Sequence, residues 1–438
     1  MSRKSISAIA VLLVFAAGCA VKSSTPGPEA RAAAKRISSD ISHYRKPSAN
    51  GEKRGDAAGL VHGANLFALV YDQVRSNYVR QVDDETLIAA ATKGIRKRHP
   101  NPKKAKDQEL IEAAIQGMLT SLDSYSTYLD GRQLKALRDQ TRGSFGGLGI
   151  EVRKGKHYIE VVTPIDDTPA ARAGLKPNDM IIRADNRSMK DITLREAVLM
   201  LRGPPDSEIK LRIKRGKIPE FNVAITRAII KVAAVRWRTE KQVGYLRITS
   251  FSERSSEEVA KALLAIRGKL GNKLQGFVVD LRNNPGGLLN QSIKISNMFL
   301  QEGRIVSIRE RNNEHHEVAN RGDLADGLPI VVLINKGSAS AAEIVAGALK
   351  DNRRATLVGT RSFGKGTVQT IIPLSRRDAV KLTTAIYLTP SGGTVEGGIH
   401  PDYSVKLDEK RKGDEQLQRA YQLLNKRTAR RGRDSRTH

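Results

Sequence analysis

The spacing of hydrophobic side chains changes several times along this chain, and each change marks a boundary. An apolar run from Ile6 to Ala17 follows the basic Arg3 and Lys4 and leads through small residues to Cys19. Residues 1–19 are too short to span a bilayer and read as a secretory signal. Residues 20–58 are rich in Ser, Pro, Gly, Ala, Lys and Arg with almost no large apolar side chains, which predicts a flexible tether. From 59 to 140 the period turns helical. Leu66, Val70 and Val74 fall on one helix, and Leu110, Ile111, Ala114, Ile115, Met118, Leu119 and Leu122 on a second. The polar, Pro-broken stretch from Arg96 to Asp107 separates the two, and LDSYSTYLD (Leu122 to Asp130) ends the second.

Between 144 and 227 short β-rich runs (IEVR, YIEVVTP, MIIRADN, EIKLRIKRG, FNVAITR) alternate with Gly and Pro, with one helical stretch from Thr193 to Arg202. From 228 to 406 strands alternate with helices: VGYLRITSF before Ser256 to Leu270, GFVVDLR before Asn290 to Leu300, PIVVLIN before Ser340 to Lys350. That order predicts βαβ units in a parallel or mixed sheet, whose ligand chemistry gathers at the carboxyl ends of the strands. Two further strands (Thr367 to Leu374, Val380 to Leu388) follow, and 407–438 is a basic segment with a helix from Asp414 to Asn425. The expected class is therefore a multidomain α+β and α/β protein: a helical N-terminal region, a β-rich module and a mixed-sheet core.

Composition narrows the function. At roughly 150 residues per domain, 438 residues make two or three domains. Lys and Arg number 75 against 46 acids, a net charge of +29, which raises the question of a polyanionic partner. Aromatics are only 4% of the chain, too few for stacking on bases, and the charge is spread along its length, so no nucleic-acid partner is expected. A basic surface facing an anionic envelope is the default. The one cysteine, Cys19, excludes an intrachain disulfide and a cysteine-based zinc cluster; no metal or cofactor is expected.

Three strand-end segments could carry chemistry. Asp280-Leu-Arg-Asn-Asn-Pro-Gly-Gly287 follows an apolar strand, and its Gly pair lets backbone N–H groups face developing negative charge. Lys336-Gly-Ser-Ala-Ser-Ala-Ala-Glu343 leaves PIVVLIN and enters a helix, so Ser338 or Ser340 sits where a nucleophile or a plain N-cap would. Gly359 to Gln369 (GTRSFGKGTVQ) places Lys365 between two glycines at the mouth of a strand. All eight histidines lie outside these segments, so a serine there has lysine as its candidate base, competent once burial makes the amine neutral. The same GTRSFGKGT nearly fits a phosphate-binding loop. Gly366 stands where that loop needs Ser or Thr, and the β-branched TVQTII follows where it needs a helix, which counts against nucleotide binding.

Taken together and in this order, DLRNNPGG, NKGSASAAE and FGKGTVQ resemble the C-terminal processing peptidases, tail-specific serine proteases with a Ser-Lys dyad. LDSYSTYL and GGIHPD (Gly397 to Asp402) fit too, so the resemblance runs from about 60 to 406. It implies Ser340 as nucleophile, Lys365 as base and Gln369 as the residue orienting the lysine. It implies an oxyanion hole from the N–H of Ala341 with that of Gly286 or Gly287. Ala342 stands where the family often has Ser. The module at 144–227 resembles a PDZ domain: FGGLGIEV (Phe145 to Val152) matches the carboxylate-binding loop, which implies tail binding at Gly147, Leu148, Gly149 and Ile150. Cys19 after Ala16-Ala17-Gly18 resembles a bacterial lipobox, with Ala16 where Leu is usual, and implies a lipid-anchored protein in the periplasm of a Gram-negative bacterium. The resemblance further implies protein substrates with accessible, apolar C-terminal tails, self-association and an adaptor lipoprotein. A non-catalytic PDZ scaffold at the envelope is the alternative.

Overall fold

The computed structural model describes residues 13–15, 25–44, 57–101, 105–375, 377–407 and 413–434; Cys19 lies outside the described residues. The chain forms two compact units, one from the segments up to Leu137 and from Ala234 onward, the other Arg138–Ala233.

The first unit opens with a correction. Within the stretch expected to be a tether, Pro28–Tyr44 is a helix that buries Ala30, Ala33, Ala34, Ile37 and Ile41. Its buried stripe has helical spacing but is mostly alanine, the best helix former, which adds little to a count of large apolar residues. Three further helices, Ala57–Asn77, Asp84–Arg98 and Asp107–Leu122, complete a bundle with the core Phe67, Tyr71, Leu87, Ile95, Leu110 and Met118. The middle one was not foreseen as a separate helix. Asp83 starts it, its carboxylate accepting from the Thr86 N–H at 2.8 Å.

From Ala234 onward the same unit builds two sheets. The first is ordered Val235–Glu240, Val243–Ile248, Gly276–Asp280, Ile330–Ile334, Ala355–Gly359, Tyr403–Ser404, all neighbours parallel except the first pair. Both faces are covered, so GFVVD and IVVLI are apolar without alternation. Phe277, Val279, Ile330, Val332 and Ile334 pack with the helices Ser255–Leu270 and Ala341–Asp351, while Val278, Val331 and Leu333 pack with Ala420 and Leu424 of the helix Glu415–Asp434. The second sheet runs Thr367–Pro373, Ala379–Leu388, Arg304–Glu310, Glu314–Val318. Thr127–Leu129 adds to Ala379–Lys381, and Leu13–Phe15 lies parallel to Thr367–Pro373. Val380 and Leu382 of this sheet belong to the helical core, which joins bundle to sheet.

The second unit holds the sheet Ile150–Lys154, Ile159–Pro164, Met180–Ala184, Glu208–Lys214, Phe221–Thr226 and the helix Leu194–Leu201, as the β-rich runs predict. It does not end at Arg227. Ala228–Lys231 pairs antiparallel with Ser144–Gly147, so the strand after the expected boundary closes the module.

A buried ion cluster fastens the last helix to the first sheet. Asp280, at a strand end, is fully buried and accepts from Arg282 (Nη2 at 2.6 Å) and the Tyr245 hydroxyl (2.7 Å). The Arg282 guanidinium reaches on to Asp414 at 2.7 Å and Gln416 at 3.0 Å. Removing the Arg282 guanidinium leaves the buried Asp280 carboxylate with only two side-chain donors among the described residues, Arg247 Nη1 at 3.2 Å and the Tyr245 hydroxyl, and strips Asp414 of its ion-pair partner. Arg282→Met should therefore cost about 3–5 kcal/mol. Urea denaturation checks this: a lower midpoint at unchanged slope is expected, and a loss below about 1 kcal/mol would show that the cluster is not structural.

Candidate active site

The first sheet delivers Ser340 at a sharp junction. The chain leaves Ile330–Ile334, turns through Asn335–Ala339 and enters the helix Ala341–Asp351, with Ser340 at φ 58° and ψ −118°. Backbone there is unfavourable for a residue with a Cβ, by about 1–3 kcal/mol, and persists only when its surroundings hold it. The two candidate serines have different fates. The Ser338 hydroxyl donates to the Leu281 carbonyl at 2.8 Å and accepts from the Asn335 N–H at 2.9 Å, tying two strand ends together. Ser340 is fully buried and its Oγ has no hydrogen-bond partner among the described residues, so it does not serve as a cap.

Glu343, one turn into the helix, holds the junction. Its buried carboxylate accepts four hydrogen bonds: Ser340 N–H at 2.7 Å and Lys365 N–H at 2.9 Å on Oε2, Ser362 hydroxyl at 2.6 Å and Gly364 N–H at 2.7 Å on Oε1. Burial pushes this carboxyl up from its ordinary range, and the four donors oppose that. The Tyr387 hydroxyl lies 3.2 Å from the Ser340 carbonyl and 2.5 Å from that of Lys365. Ser340 and Lys365 are thus joined through their backbones by two side chains that the sequence did not single out. Glu343 closed a quoted motif, and S-x-x-E before a helix reads as a capping box; Tyr387 carried no signal.

Lys365 is 1% exposed. Its amine donates to Gln369 Oε1 at 2.5 Å and lies 4.4 Å from the centre of the Tyr125 ring. Burial, helped by the positive charge of Lys381 and opposed by Asp123 and Glu343, lowers the amine to about 7. Gln369 is brought inward by a bulge between Val368 and Gln369, and its Nε2 donates to Thr367 at 3.0 Å and Thr383 at 3.2 Å.

The glycine turn closes the site. Asn284 donates from Nδ2 to the Ile248 carbonyl and accepts the Gly286 N–H on Oδ1, both at 2.9 Å. A Cβ at Gly286 (φ 99°) would stand 2.8 Å from Ser340 Cβ and 3.0 Å from the Ala341 nitrogen, so the turn lies directly against the serine. The Gly286 N–H is engaged. Those of Gly287 and Ala341 have no acceptor among the described residues. The two glycines that the sequence leaves open are therefore inequivalent. Among the described residues, no group of three or more His, Cys, Asp or Glu is arranged to hold a metal ion, and no helix is long and apolar enough to cross a membrane.

Residues 242–405 match peptidase family S41 and residues 146–225 a PDZ domain. Over 314 residues the chain is 52% identical to a carboxy-terminal-processing protease of Bartonella bacilliformis, covering 70% of this chain and 72% of that one. The chain belongs to the carboxy-terminal-processing proteases. It is a serine-type peptidase with a PDZ domain. Carboxy-terminal processing protease CtpA of Bacillus subtilis is 35% identical over 343 residues, covering 77% of this chain and 68% of that one. The solved photosystem II D1 C-terminal processing protease superposes with a TM-score of 0.50 at 27% identity, over 83% of this protease and 97% of that chain.

In the PDZ domain, Gly149 has φ 78° and its missing Cβ makes room for Thr168, 2.3 Å from where that atom would sit. The Thr168 hydroxyl donates toward the Gly149 and Ile165 carbonyls at 3.0 and 2.6 Å. The Leu148 side chain is buried in the domain core, while the N–H groups of Leu148 and Gly149 have no acceptor among the described residues. Gly147 pairs with Ala228, and Ile150 begins the edge strand, beside the helix Leu194–Leu201.

Lys381 offers a test of the electrostatics. Lys381→Met removes a positive neighbour that opposes protonation of Lys365, so the Lys365 amine keeps its proton to higher pH. The acid limb of kcat/KM should move up from about 7. A limb that stays in place or moves down would show that Lys381 does not act on this amine.

Proposed function

We propose that this protease cleaves exported proteins near accessible C-terminal tails by a Ser-Lys acyl-enzyme mechanism. The neutral Lys365 amine takes the Ser340 hydroxyl proton as Oγ attacks the scissile carbonyl, and the oxyanion is received by the N–H groups of Ala341 and Gly287. Lys365 then gives its proton to the departing amine, leaving the acyl group on Ser340. Water, deprotonated by the same amine, attacks the ester and releases the new C-terminus. Gln369 holds the amine in place throughout. The observation that carries this reading is a buried serine hydroxyl, without a partner among the described residues, whose backbone hangs on the same carboxylate oxygen as that of a buried lysine lowered to about 7.

Tail selection is assigned to the PDZ domain. A terminal carboxylate would meet the N–H groups at Gly147 to Ile150, and the tail would add to the open edge of Ile150–Lys154 beside the helix Leu194–Leu201. Both Leu194 and Leu199 of that helix are exposed, which suits apolar tails. Self-association and an adaptor lipoprotein belong to the same reading.

The test compares the full-length protein with Ser340→Ala and Lys365→Arg on one disordered substrate, with its C-terminus free or amidated. Both variants should lose at least about a hundredfold in turnover. Amidation should raise KM for the unaltered enzyme. Substantial turnover by either variant would overturn the dyad. A wild-type chain that binds the free tail without cleaving it would instead be a PDZ scaffold.

Export and anchoring rest on residues 1–19. Cys19→Ser should turn a membrane-bound protein into a soluble or unprocessed one with unchanged activity after solubilisation. Mass spectrometry of the mature N-terminus checks this, and a mature chain starting elsewhere without acyl mass would reject the anchor.

A further inference from the structure

The segment LDSYSTYL drew notice in the sequence yet has no part in the mechanism above. Its residues Asp123 to Ser126 join the helix Asp107–Leu122 to the strand Thr127–Leu129 and bring a ring to the catalytic amine. Tyr125 stands with its ring centre 4.4 Å from Lys365 Nζ. The backbone that carries the ring is fixed from behind. Asp123 Oδ1 accepts the N–H groups of Tyr125 and Ser126 at 2.6 and 2.7 Å, and Oδ2 accepts the Ser126 hydroxyl at 2.9 Å. Ser126 Oγ in turn accepts the Thr383 N–H at 3.2 Å, and Thr383 Oγ1 accepts from Gln369. Ser126, Thr383 and Gln369 are all buried. One short loop therefore supports two groups that touch Lys365 Nζ, its ring directly and the Gln369 amide through Thr383.

We propose that Tyr125 is a positioning residue for Lys365, its ring face and the Gln369 amide together holding the amine in the place from which it serves Ser340. A neutral amine has two N–H bonds and one lone pair, and each fixed acceptor that it meets narrows the directions open to that lone pair. The same ring face attracts the ammonium form by its quadrupole. This inference rests on the Ser-Lys reading. The hydroxyl of Tyr125 has no share in it; what matters is the π face.

The test compares Tyr125→Leu with Tyr125→Phe, reading kcat, KM and the pH profile of kcat/KM on a peptide substrate. The charged and titratable groups around the amine are Lys381 on the neighbouring strand, Asp123 in the loop and Glu343 on the helix Ala341–Asp351, and neither variant alters them. Tyr125→Leu should lower kcat about tenfold or more with KM within about twofold. Losing the ring removes stabilisation of the ammonium, so the acid limb should move about half a pH unit lower. Tyr125→Phe should keep kcat and the limb at wild-type values. If the leucine variant does not fold by urea denaturation, Tyr125→Met is measured against the same expectations. Wild-type kcat and limb without a ring, or a phenylalanine variant as impaired as the leucine one, would overturn the proposal. Ser340→Ala and Lys365→Arg run alongside: their activity would remove the dyad itself, whereas their inactivity beside a fully active Tyr125→Leu would remove only this inference.

Discussion

A single carboxylate, that of Glu343, sets the geometry on which the rest of the site depends. It is fully buried, which for a lone acid would be prohibitive, and it is held by four donors at 2.6 to 2.9 Å. Two of those donors are the N–H groups of Ser340 and Lys365, which come from different segments, one at the start of a helix and one in a loop. The left-handed backbone at Ser340 is thereby fixed to the loop that carries Lys365, with Tyr387 repeating the link through the two carbonyls. The hydroxyl of Ser340 takes no part in this scaffolding, and its freedom is what sets it apart from Ser338.

Much of this was legible because the relevant signals are local. A strand followed by G-S-A-S-A at a helix start, and a lysine between glycines before β-branched residues, are readable in a few residues each, and the structure brings those segments together with the glycine turn. The strands of the second unit were legible for the same reason. Glu343 was not legible as a hub, since three of its four donors belong to segments other than its own helix start. Nor could Gly286 and Gly287 be told apart without knowing that the Asn284 side chain takes one of their N–H groups.

Side-chain size and charge hide other elements from the sequence. Pro28–Tyr44 reads as a tether because mostly alanines carry its buried face. The hairpin Arg304–Glu310 and Glu314–Val318 escaped notice because its second strand is nearly all polar, EHHEV, and exposed. Pairing between distant segments, such as Thr127–Leu129 with Ala379–Lys381, leaves no trace in either stretch alone.

The order in which the chain can assemble follows from the clamp between Arg282 and Asp414. Arg138–Ala233 is continuous, so its contacts can form as soon as that stretch is available. The first sheet has to wait. Its last strand is Tyr403–Ser404, and the helix that covers one face begins at Glu415, so the neighbours of Val278 and Leu333 lie far downstream of them in the chain. Contacts spanning more than a hundred residues close slowly. A peptidase built this way completes the sheet beneath its serine only once the helix Glu415–Asp434 has emerged, and a chain cut short before Asp414 leaves that sheet bare on one side.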